Sequence, residues 1–135
     1  VTPPAARVLY RAIVESLERL GYQRLKTTWS FRDVPEGAAD RLFQVLPGDV
    51  EEQSRSARGI CVSTTRRLHV AVLFGVLQHP NIIEERVLPE EERITDALLD
   101  LRDVDGVRVT YADTDELGGR IVAVFVVTSS YERPA

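Results

Sequence analysis

The side chains able to do chemistry are few and scattered. His69 falls inside the longest apolar run, and His79 stands just before Pro80. Their separation matches no metal-binding helical or hairpin spacing, so each reads as a core or surface histidine. Cys61 is the lone cysteine, which excludes an internal disulfide and any cysteine-based zinc site. The sequence sets no cation or helix N-terminus beside it. It therefore reads as a small buried hydrophobe and not as a nucleophile. Ser63, Thr64 and Thr65 follow closely, but no nucleophile elbow, glycine-rich phosphate loop or zinc motif surrounds them. The expectation is a chain without catalytic, cofactor-binding or metal-binding residues, and so not an enzyme.

The charged residues cluster more clearly. Glu51-Glu52, Glu84-Glu85, Glu90-Glu91-Glu92 and the trio Asp113, Asp115 and Glu116 are the acidic groups. The last resembles the start of a calcium loop but lacks the remaining ligands and the terminal glutamate. Arg55, Arg58, Arg66 and Arg67 form the densest basic stretch, next to Glu51 and Glu52. A nucleic-acid site would add aromatic partners or a basic helix, and neither accompanies them. Two readings stay open. One is a solvated loop. The other is a set of contacts between copies, in which Glu51, Glu52 or Asp115 of one meets Arg55, Arg58, Arg66 or Arg67 of the next.

Elements that could position these residues must come from 135 residues, a length that fits one domain spanning 1–135. Apolar residues make up 44%, enough for a modest core. The 17 basic residues, all arginine except Lys26, are outnumbered by 21 acidic ones. The net charge of −4 argues against a bulk nucleic-acid binder. No apolar run approaches the roughly 20 residues of a membrane helix, and the first residues lack the pattern of a secretory signal. Val1 opens the chain and no Met occurs, so an initiator Met is expected to have been lost.

The first element is an amphipathic helix. Thr2 can cap it, Pro3 suits its first turn, and Ala6, Leu9, Tyr10, Ile13, Leu17 and Leu20 fall on one face, with Gly21 as the stop. Lys26–Phe31 reads as a short strand or ordered loop, and Leu42–Leu46 as a strand ended by Pro47-Gly48-Asp49. Residues 47–58 are polar and read as a long projecting loop. Strands follow at Gly59–Thr64 and Leu68–Leu77, with a turn or bulge at 65–67. A second helix follows Pro89, with Glu90, Glu91 and Glu92 in its first turn and Ile94, Ala97, Leu98 and Leu101 on its apolar face. Val107, Val109 and Tyr111 mark another strand, 113–119 a hairpin loop, and Arg120 to about Ser130 the last strand. This order predicts an α+β two-layer domain: a mainly antiparallel mixed sheet packed by two helices on one face. The strands at 68–77 and 120–128 are apolar on both faces, yet two helices cover only one. An exposed apolar sheet face is rare on a monomer, so a second subunit is expected to cover it, unless 22–46 folds over it.

One family has this layout from end to end. The helix A-R-V-L-Y-R-A-I-V-E-S-L-E-R-L-G leads into strands and a polar stretch. Then come P-E-E-E-R-I-T-D-A-L-L-D-L, V-D-G-V-R-V-T-Y, D-T-D-E-L-G-G and the closing R-I-V-A-V-F-V-V-T-S-S-Y. The chain resembles the tail terminator and neck (head-tail joining) proteins of long-tailed bacteriophages, through element order, length and closing strand and not through a diagnostic motif. The resemblance implies a structural virion protein that forms a ring, commonly hexameric in that family, which caps the tail tube and joins it to the head. It implies partners in the tail tube, in neck and connector proteins and in further copies of itself. DNA would pass the channel without sequence-specific binding, and the negative net charge is compatible with that. No membrane is involved. Assembly would occur in the host cytoplasm, and the protein would end in the virion tail or neck. The resemblance transfers no catalytic residue, because the family has none. A head-side connector or stopper protein of the neck is the neighbouring alternative. A small dimeric ligand-binding α+β domain, using a sheet face as its pocket, is the alternative from another class.

Overall fold

The computed structural model describes residues 5–25, 41–55, 61–75, 81, 83–111 and 121–134; of residues 52–55, 61, 62, 133 and 134 it describes the backbone alone. Helix α1 (Ala5–Arg19) leads to the short β1 (Gln23–Arg24), then β2 (Leu42–Arg55) and β3 (Cys61–Phe74). Helix α2 (Leu88–Leu99) precedes β4 (Val104–Tyr111) and β5 (Ile121–Pro134). The strands form one sheet in the order β1-β2-β3-β5-β4, with β1 parallel to β2 and every other pair antiparallel. The fold is α+β, a mixed sheet with two helices, as the sequence pattern predicts.

Periodicity explains the layers. On α1, Leu9, Ile13, Val14 and Leu17 are buried, and on α2, Ile94 and Leu98 are, each set at helical spacing. They pack on the alternate residues Leu68, Val70, Val72 and Phe74 of β3 and Ala123, Phe125 and Val127 of β5. Leu20 and Leu101, expected in the same stripe, are half-buried against this core. Gly21 ends α1 at φ +97°, a conformation that glycine adopts without steric cost. Thr2 and Pro3, the expected cap, lie outside the described residues.

Three sequence expectations are corrected. Residues 47–55 form no loop: they continue β2, paired with β3 as far as Arg55↔Val62. Cross-strand pairing needs no apolar side chains when one or both faces meet water, so composition read a polar strand as a loop. The turn expected at 65–67 is absent, since β3 pairs with β5 without interruption from Cys61↔Pro134 to Phe74↔Ile121. The closing strand accordingly runs on to Pro134. Ahead of α2, Ile83–Val87 winds as a π-helical turn with Val87 buried. That turn lets the chain enter a helix that has Pro89 in its first turn, where a missing N–H costs little.

The second sheet face is not bare. Leu73 is fully buried, and Leu42, Ala71 and Val122 nearly so, with Leu25 and Val124 packed against them. Val126 on the same face is buried as well. The single chain covers this part of the face, so the need for a second subunit there does not arise from these residues. The expected strand or loop at Lys26–Phe31 and the hairpin loop at 113–119 lie outside the described residues.

Two tyrosines tie α2 to the rest. Tyr22 donates to Glu90 Oε2 at 2.5 Å, and Tyr111 to Glu91 Oε1 at 2.5 Å. The Tyr22 ring also meets Phe74 edge-on at 6.4 Å. Burial, and then the bond and charge of Glu90, hold the Tyr22 phenol well above its ordinary 10.0.

Two outcomes follow. Ile13→Ala or Leu98→Ala should each cost about 2–5 kcal/mol in denaturant unfolding, and losses under about 0.5 kcal/mol at both would contradict this core. The folded state holds the Tyr22 proton more tightly than the unfolded chain does. The stability that this group contributes is therefore complete below about pH 10 and declines as pH rises above it. Tyr22→Phe should flatten that alkaline decline in urea melts; an unchanged slope would contradict the Tyr22–Glu90 link.

Candidate functional site

The core stops before the sheet does. On the helix-facing side, Leu68 of β3 and Val127 of β5 are the last core residues towards the Arg55 end of β2 and the Cys61 end of β3. Beyond them the same row reads Arg66, Thr64 on β3 and Ser129, Tyr131 on β5. The opposite row reads Arg67, Thr65 and Thr128, Ser130. These residues and the matching stretch of β2 form a three-stranded polar arm of the sheet.

Side-chain bonds brace the arm. Arg66 donates from Nε to Tyr131 Oη at 3.1 Å. Thr65 Oγ1 and Ser130 Oγ lie 3.2 Å apart across β3 and β5. Arg67 Nη1 reaches Asp49 Oδ2 at 2.6 Å across β2 and β3. Thr64 Oγ1 is buried and meets no hydrogen-bonding atom among the described residues. An unpaired buried hydroxyl costs about 1–3 kcal/mol.

The structure brings together only part of the predicted contact set. Glu51 is exposed on β2 opposite Thr65, on the same side as Arg67. Arg66 and Arg67 are half-buried and already engaged within the chain, by Tyr131 and Asp49. Glu52 pairs with Thr64 and Arg55 with Val62 through the backbone. Arg58 and Asp115 lie outside the described residues. His69 is half-buried on the side away from the helices, opposite Leu46 and Val126. Cys61 opens β3, and His79 is outside the described residues. Among the described residues, no three of His, Cys, Asp and Glu gather as a metal site.

Asp49, Thr64 and Tyr131 were missed by sequence reasoning. The β3–β5 register, which aligns Thr64 with Tyr131, reveals those two, and the β2–β3 pairing brings Asp49 to Arg67. A cleft of about 280 Å³ also opens beside the arm, where Val8 and Ala12 of α1 face Ser129 and Tyr131. Arg102 and Asp103 close one side, and Asp103 holds a left-handed backbone at φ +69°.

Gly48 marks where β2 bends into the arm, within a register shift between Pro47 and Val50. A Cβ there would stand 2.8 Å from the Arg67 carbonyl oxygen and 2.9 Å from His69 Nε2. Gly48→Ala should therefore destabilise the protein by about 1–3 kcal/mol through overpacking. Its thermal melt is the check, and an unchanged or raised midpoint would contradict the close approach. No family model matches this chain, and no curated protein matches it either.

Proposed function

We propose that this chain is a structural subunit of a phage-like tail, a tail terminator that forms a ring, caps the tube and joins it to the neck. The observation that carries the reading is the polar arm. Ordering the backbone costs about 1–2 kcal/mol per residue, and burial of apolar area normally offsets it. The arm orders three strands past the apolar core, braces them with side-chain bonds and leaves Thr64 Oγ1 buried and, among the described residues, unpaired. An extension that contributes so little to the core suits a surface shaped for assembly. The order helix, strands, helix, two strands also agrees with the resemblance.

Working partners in this reading are further copies of the chain, the tail tube and the neck. DNA passes through without sequence-specific contact. The ring stoichiometry implied by the resemblance is six. The cleft beside α1 is what a ligand-binding alternative would use, with apolar Val8, Leu9 and Ala12 beside Arg102 and Tyr131.

Depleting the protein during particle assembly and imaging the tails separates these readings. Tails of irregular length are the expected result. Normal tails left unjoined to heads would favour a head-side connector. Uniform tails joined normally would overturn both.

A further inference from the structure

The sheet has two outer edges. β1 covers β2 only at Leu42 and Phe43, and from Gln44 to Arg55 no strand lies beyond β2 among the described residues. On the far side β4 ends the sheet. A row of unpaired N–H and C=O groups is a template for another chain, and proteins guard such rows with prolines, bulges and charges. On β2, Pro47 and register shifts at Pro47/Val50 and Glu52/Ser54 divide the open row into short regular windows, Gln44 to Leu46 and Val50 to Glu52, of which the second carries the exposed carboxylate Glu51. On β4 the only shift lies at Val104/Gly106, and Val107 to Tyr111 pairs regularly with β5.

The two edges are complementary. All three junctions from β2 through β3 and β5 to β4 are antiparallel. When two sheets join head to tail with the same face to the same side, β4 of one therefore runs antiparallel to β2 of the next. Arg108 is exposed, has no carboxylate partner among the described residues, and sits opposite Val126 on the face away from the helices. Glu51, also exposed, lies opposite Thr65 on that same face. With Glu51 set opposite Arg108, antiparallel pairing puts Val50 opposite Val109 on the helix-facing side. Val50 is 46% exposed there and Tyr111, near Val109, is 44% exposed. Charge meets opposite charge on one face, and apolar side chains meet on the other. Pairing β4 with a second β4 offers Arg108 no such carboxylate, because Arg108 and Thr110 are the regular positions of that face.

We propose that copies of this chain join edge to edge, β4 of one adding to residues 50–52 of β2 on the next, with Arg108 facing Glu51 of the next copy. The proposal deepens the ring reading and rests on it for the identity of the occupant. Such a contact is heterologous, so repetition closes a ring or extends a filament.

The test is Val50→Cys combined with Val109→Cys in a Cys61→Ser background, oxidised at micromolar concentration. Within one chain these positions lie on strands three places apart, about 14 Å at the usual strand spacing. A disulfide needs Cα atoms within about 7 Å, so any bond must join two chains. A ladder of covalent multimers is expected, lost with Arg108→Glu and restored when Glu51→Arg is added. Covalent dimers from Val109→Cys alone would overturn the proposal in favour of paired β4 edges. Native mass of the unaltered protein runs alongside. Oligomers there without the ladder would overturn the edge pairing and leave the ring reading standing. A monomer with no ladder would also overturn the edge pairing, while tail morphology still decides the ring.

Discussion

The β3–β5 ladder is the constraint on which the rest depends. It runs from Cys61↔Pro134 to Phe74↔Ile121 without a bulge. Its unbroken register fixes which residues face the helices along the full length of both strands, since a one-residue slip would exchange the faces. At one end the ladder aligns Val70 with Phe125 and Val72 with Ala123, the floor on which α1 and α2 rest. At the other end it aligns Thr64 with Tyr131 and Thr65 with Ser130, the braced arm. Core and arm are thus two halves of one rigid pairing, and β2 and β4 are laid along its two sides.

The halves are held by different physics. Around Phe74, Phe125, Ile13 and Leu98, all fully buried, stability comes from apolar area removed from water. In the arm it comes from backbone pairing and from bonds that water can compete for. The Arg67–Asp49 contact is 2.6 Å long, yet two-thirds of the Asp49 side chain is exposed, so screening leaves it a modest contributor. The arm's alignment is consequently inherited from the core through the shared strands.

Much of this was legible in the sequence. Helical spacing located α1 and α2 and named Leu9, Ile13, Leu17, Ile94 and Leu98 as buried, because an amphipathic stripe is a local signal. The α+β class followed from the order of elements. The arm was not legible. Residues 50–55 read V-E-E-Q-S-R, a loop by composition, and become strand only through pairing with residues distant in sequence. Tertiary context overrides strand propensity in this way. Alternation in β3 and β5 suggested a bare second face, but periodicity reports which residues want burial and not what covers them; Leu73 and Val122 are buried within the single chain. Of the charged residues singled out, Arg66 and Arg67 turned out to be spent on Tyr131 and Asp49. That outcome depends on register, which no local spacing encodes.

The proposed function makes the core the holder of an assembly surface in fixed register and would place the chain at the head-proximal end of a tail. Immunogold labelling of purified particles against this chain tests that claim most directly. The account predicts label confined to one band at the junction of tail and head. Label spread along the shaft, confined to the capsid interior, or absent from intact particles would contradict it.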